Sequence, residues 1–240
     1  MGSLIPGSVF LQSSFYGLAA VIVAGATLLL YRASTACGDS PGEARTIQRR
    51  FLMRALAWVA AVSLASFSGA MNPAMRPPVV FVLMLAAILT LGVVIARSET
   101  GRRFAHGLPL AWLVGFQAFR LPLELAMHRA HTEGLMPIQM SYSGLNFDIV
   151  TGATALVLGL ATAVREVPRW VVRAWNVLGL VLLANILGVA MLSTPVFAYF
   201  GPDRLNVFVM RMPYTLLPAV MVLAAWAGHL IVFRALRQER

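Results

Sequence analysis

The chain has 240 residues, 59% of them hydrophobic and only 12% charged, with a formal net charge of +10. A soluble domain carries about 25% charged residues, so an ordinary water-soluble fold is excluded. Membrane strands would alternate over about ten residues, and no such pattern occurs; the expected class is an all-α membrane bundle in a single domain over 1–240.

An apolar stretch of about 20 residues crosses a hydrocarbon core of ~30 Å as a helix. Seven occur, at about 13–32, 51–71, 78–97, 108–129, 147–165, 171–192 and 213–234. No positive charge precedes the first, as a signal peptide requires, and position six is proline where a myristoylation site wants Ser or Thr. The connection Ala33 to Arg50, with Gly38 and Pro41-Gly42, reads as a mobile loop. It holds the single cysteine, Cys37, so no intramolecular disulfide or cysteine-based metal site is expected.

Residues 71–78 form a short proline-rich connection, and 98–101 and 166–168 read as tight turns. Pro122 interrupts the fourth span, removing a backbone donor and kinking the helix. The connection from Ser193 to Met212 is apolar for a loop, with Phe197, Tyr199, Phe200 and Phe208, and is expected to lie in the interface as a short helix or lid.

Arginine sets the expected orientation. All 19 basic residues are arginine; fourteen, from Arg32 to Arg240, fall in one set of connections, while Arg76, Arg129, Arg204 and Arg211 fall in the other and Arg120 lies within a span. The positive-inside rule then places the N-terminus outside and the C-terminus in the cytoplasm. The basic excess is thus read as a topology determinant assisted by membrane lipids, with no nucleic-acid partner. The absence of lysine excludes a retinal Schiff base.

The fourth span carries Arg120, Glu124 and His128, four residues apart and so on one helical face. Charge inside a bilayer is costly unless paired, and marks function by default. Sorted by depth at ~1.5 Å per residue, Gln117, Arg120, Glu124, His128, Asn146, Asp148, Asn185 and Arg211 converge on one pocket in the outer leaflet. His229 sits deeper and is expected apart from Glu124, near Asn176 and His106.

Three readings compete. Arg120 pairs with Glu124 or Asp148 as a structural ion pair; the pocket binds a small polar molecule or ion; or Glu124, His128 and Asp148 ligate a divalent metal, with one carboxylate as general base. Asn146 or Asp148 also stands where it can cap the following helix. The seven-helix zinc hydrolases of the ceramidase and adiponectin-receptor type end in His-x-x-x-His, but Ala225 and Phe233 flank His229 at that spacing. A haem needs two facing axial ligands, and His106 at a helix end is a poor partner for His229. Met71, Met75, Met127, Met136, Met140, Met191, Met210 and Met212 gather toward the outer face. With His128 and His131 they suit Cu(I), but they are read as adaptable apolar residues at a surface.

Phe119-Arg-Leu-Pro-Leu-Glu124, His128, Gly134-Leu-Met-Pro137, Gly144-Leu-Asn-Phe-Asp-Ile-Val-Thr-Gly152, Trp175-Asn176 and Gly228-His229 resemble a group of uncharacterised bacterial multi-pass membrane proteins. The resemblance covers the last four spans and implies a bacterial inner-membrane protein; it carries no activity. The expected function is therefore binding of a small molecule or ion between spans four to seven, for transport, sensing or sequestration. The alternatives are the metal-dependent enzyme and a non-catalytic subunit of a membrane complex.

Overall fold

The structure, a computed structural model, describes residues 7–71 and 79–238. Residues 1–6, the proline-rich connection with Met75 and Arg76, and Arg240 lie outside the described residues. Among the described residues the chain is helical and contains no strand. Six helical segments are long and apolar enough to cross a membrane: Val9–Ala36, Pro41–Phe67, Val79–Arg97, Leu110–Thr132, Arg169–Leu192 and Leu217–Arg237. A seventh apolar helix, Asp148–Val164, has only 17 residues, about 25 Å at the helical rise.

The first three of these are α1, α2 and α3. Successive segments run in opposite directions, so the ends of α1 and α3, the start of α2 and the C-terminus share one arginine-rich end of the bundle. The connection read as a mobile loop is almost entirely helical. α1 continues to Ala36 and α2 begins at Pro41. Ser40 accepts the Glu43 amide while Glu43 accepts the Ser40 amide, a capping box with proline at the first helical position. Arg103 clamps the four-residue turn through Asp39 at 2.7 Å and holds its carboxyl below the usual range. The turn expected at 98–101 is likewise the start of a helix, α4 (Glu99–Gly107), capped by the Ser98 hydroxyl.

The fourth span is broken in the middle. α5 (Leu110–Phe116) passes through a 3₁₀ turn at Gln117–Phe119 into α6 (Arg120–Thr132). Pro122 explains the position of the break, because its ring displaces the carbonyl of residue 118, four positions earlier. α7 (Asp148–Val164) and α8 (Arg169–Leu192) follow. The last segment opens as a π-helix at Leu217–Val222, where Pro218 lacks its own donor, and regularises into α9 (Leu223–Gln238).

Two apolar clusters fill the interior. The larger, around Phe15, Met84, Met127, Met140 and Met221, occupies the arginine-poor half; the smaller, around Leu30, Phe104, Val114, Trp175 and Val232, occupies the arginine-rich half. The expectation that the methionines form a surface is overturned. Met71, Met127, Met136, Met140 and Met210 are buried, because the flexible thioether side chain fills irregular gaps between helices of broken geometry.

α1 is tied to the end of α6 by Glu133, which accepts the Ser8 amide at 2.8 Å and the Ser8 hydroxyl at 2.7 Å while pairing with Arg129. These donors hold the Glu133 carboxyl down at about 2, against an ordinary 4.5. A depressed folded-state value stabilises the fold above the ordinary value and loses that contribution as pH falls toward the lower one. Stability measured by thermal unfolding should therefore fall as the pH drops from 5 to about 2, and Glu133→Gln should remove this component of the acid dependence.

Candidate functional site

The buried polar groups lie where the two apolar clusters meet. Arg120, the first residue of α6, is 1% exposed and forms an ion pair with Asp148, the first residue of α7, at 2.5 Å. Asp148 stands at a helix N-terminus, where the aligned peptide dipoles favour a negative charge. Thr151 adds a hydroxyl to the same carboxylate at 3.4 Å.

Arg120 has a second partner. Its Nη1 donates to His229 Nε2 at 2.9 Å, and His229 Nδ1 stands 2.7 Å from Asn176 Oδ1. The Asn176 amide nitrogen donates to the His229 carbonyl at 3.0 Å, which fixes the amide so that its oxygen faces the ring. A guanidinium only donates, and that amide oxygen only accepts. His229 therefore carries its proton on Nδ1 and is neutral. A continuous line of polar contacts thus runs Asp148–Arg120–His229–Asn176 across four segments of the bundle.

Close helix approach permits the line. A Cβ on Gly179 would come within 2.8 Å of His229 Nε2, and one on Gly152 within 2.9 Å of the Arg120 carbonyl carbon. Both positions need the absence of a side chain.

Glu124, one turn above Arg120 and 2% exposed, belongs to a separate arm. Its Oε2 accepts the Asn146 amide at 2.6 Å. Asn146 also donates to the Met140 carbonyl at 3.0 Å and accepts the Asp148 amide at 3.0 Å. One side chain therefore satisfies the first amide of α7 and orients Glu124. The ion pairs among the described residues include none to Glu124.

A cavity of about 60 Å³ lies against Arg120, Glu124, Asp148 and Asn206, its other walls being apolar side chains such as Leu183 and Met221. That is room for about four waters or a partly hydrated ion, at roughly 15 Å³ each. Asn206, Val209 and Met191 close it from the arginine-poor side. Asn206 and Val209 belong to the connection between α8 and the π-helix, whose Phe208, Val209 and Met210 are buried, and Met191 to the last turn of α8. This connection packs into the protein as a lid, because Gln139 holds it through Ser193 at 3.0 Å and the Arg204 carbonyl at 2.8 Å. Its first part remains exposed, with Val196, Phe197 and Tyr199 on the surface.

Of the eight residues expected to converge, Arg120, Glu124, Asn146 and Asp148 do so. Gln117 is buried one turn away, against Gly228 and the Ala225 carbonyl, on the α9 side of the site. His128 turns away: it lies 3.0 Å from the Ser141 hydroxyl and stacks on Tyr142 with centroids 4.4 Å apart. Asn185 is spent on the Leu145 carbonyl at 2.7 Å, and Arg211 is exposed. The Glu124, His128 and Asp148 metal set is therefore not assembled, and among the described residues no three His, Cys, Asp or Glu side chains stand together as a metal site. Nor do His106 and His229 face each other, since His106 is exposed on α4.

The separation of His229 from the outer residues is the principal correction. Depth along the helix axis placed it correctly beside Asn176, but the long arginine side chain spans the remaining distance. Asn206 and Thr151 gave little sign; an asparagine within an apolar connection was the one available cue for the former. No known family model, curated protein or solved structure matches the chain, so the chemistry rests on this geometry.

Arg120→Ala should cost about 3–5 kcal/mol of stability, because it strands a buried carboxylate. Arg120→Met combined with Asp148→Leu should recover much of that loss. Unfolding in mild detergent measures both.

Proposed function

We propose that the protein is a seven-span integral protein of a bacterial inner membrane, N-terminus outside and C-terminus cytoplasmic, that binds a small monovalent cation or a proton beside Glu124. The seventh span is α7, whose shortness is made up by the buried segment before it, where Gln139, Met140, Ser141 and Asn146 are all enclosed. The arginine asymmetry supports the orientation, and the resemblance across the last four spans supports the bacterial membrane.

Charge balance carries the functional reading. Asp148 compensates Arg120, and His229 is held neutral by its two partners. Ionised Glu124 is then one uncompensated negative charge in a buried site, and an unpaired carboxylate away from water is strongly disfavoured. One monovalent cation or one proton restores neutrality, whereas a divalent ion overshoots it. The cavity volume favours the same scale of ligand. Intramembrane carboxylates of this kind line ion pathways and proton relays. The irregular backbone on both sides of the site, 3₁₀ at Gln117–Phe119 and π at Leu217–Val222, is the type found at functional positions in membrane helices.

The purified protein should be stabilised by one monovalent cation in a sodium, potassium and lithium series, or by acidification alone if the proton is the ligand. Glu124→Gln should retain the helical circular dichroism spectrum and lose that dependence. An unchanged dependence in Glu124→Gln would refute the assignment.

Reporter fusions within 38–48, within 98–105 and at the C-terminus should be active only in the cytoplasm, and fusions within 132–143 only outside. A C-terminal fusion active outside would reverse the assigned orientation.

A further inference from the structure

A second and larger cavity lies on the opposite side of the last segment from Glu124. It is a cleft of about 360 Å³ between α1, α2, α3, α5 and α9. Its walls are almost wholly apolar, and the exceptions cluster. Ser98 and Thr100, beside the end of α3, line the cleft at the arginine-rich end, and Arg54 lines it from α2, about one turn beyond Phe51, whose ring meets Phe104 of α4. At that end Trp112 forms part of the wall, with the Arg32 guanidinium 5.2 Å from its ring centroid. From Ile231 the cleft continues to Ala219, a distance of about 18 Å along the helix axis. It is therefore amphipathic, polar at the membrane-surface end and apolar toward the interior.

We propose that this cleft binds one acyl chain of an anionic phospholipid from the leaflet at the arginine-rich end, with the lipid phosphate on Arg54. Three observations select that occupant. Among the described residues no hydrogen bond or ion pair engages Arg54, although it lines an apolar cleft; a phosphate supplies the missing anion. Thr100 stands at the arginine-rich end as a further polar group for the head group. And α2 is loosely covered: Ala44 and Val62 are its only buried residues among those described, so the cleft is open to a chain entering sideways from the bilayer. A polar solute has no route past that apolar flank, and a zwitterionic lipid brings its phosphate together with a compensating ammonium, so only an anionic lipid offers Arg54 a net counter-charge. The site is independent of the Glu124 cavity.

The test uses the whole protein in vesicles of equal parts phosphatidylglycerol and phosphatidylcholine, in which one of the two lipids carries brominated chains. Bromine quenches tryptophan on contact, and Trp58 and Trp112 both line the cleft; subtracting the signal of Trp112→Phe assigns quenching to the wall. Brominated phosphatidylglycerol should quench that signal with about fivefold preference, the scale of one basic residue meeting an anionic lipid. Arg54→Gln, at an exposed position where folding is unaffected, should abolish the preference, and Ala224→Phe, which fills the cleft, should reduce quenching by both lipids. Equal quenching in the unsubstituted protein overturns the proposal, as does a preference that survives Arg54→Gln. Absence of quenching by either lipid also overturns it, that being the result expected if a second copy or another protein's helix occupies the cleft.

Discussion

The ion pair between Arg120 and Asp148 is the constraint around which the bundle is arranged. A guanidinium deep in a membrane protein must meet an anion and have its remaining donors satisfied, or the helix carrying it does not stay in place. Asp148 supplies the anion from the first residue of α7, and His229 accepts a second donor from the far side. Those two demands pull α6, α7 and the last segment to a common point. Gly152 then follows as the residue that lets α7 approach the α6 backbone so closely, and Gly179 as the one that leaves room for the His229 ring. Asn176 follows as well, since it holds the imidazole in the one tautomer that can accept from arginine.

The departures from regular helix belong to the same arrangement. A straight fourth span would carry Arg120 past its partners in a single helical register. The 3₁₀ turn just before it shifts that register, at the place where Pro122 has already removed the hydrogen bond. In the last segment the π-helix, following Pro218, leaves Ala219 placed to receive the Trp58 indole donor at 2.8 Å. Irregular backbone is tolerated at membrane depth only when protein surrounds it, and both breaks face the packed interior. Glu124 lies in the same enclosed region but outside the arginine's ion pair, and its carboxylate meets the Asn146 amide instead.

The two flanks of the molecule contrast. α6 to α9 enclose their polar groups almost completely, under a lid pinned by Gln139. α2 touches the rest along a narrow strip and carries arginine near one end. A closely packed polar interior thus stands beside a loosely covered apolar cleft.

Much of this was legible in the residues. Apolar runs of membrane length gave the helical class, and the spacing of Arg120, Glu124 and Asp148 marked the region where the structure gathers its buried charge. The capping box at Ser40 and Glu43 was also written in the sequence, but it was hidden by glycine and proline that read as a loop; the proline sits at the first helical position, where it favours helix. Partner choice was not legible. Helical periodicity reports which residues share a face of one helix, and depth counting reports their level, but neither reports how far a side chain reaches sideways. Arg120 therefore joined His229 across a level that separated them on paper, while His128, on the same face as Glu124, turned to Ser141 and Tyr142. Sequence by itself determined which groups were too polar to be left alone in a membrane. Which of them neutralise one another, and which one is left over, was decided by tertiary packing, because that depends on helix breaks and glycine contacts that set distances of a few ångströms between segments remote in the chain.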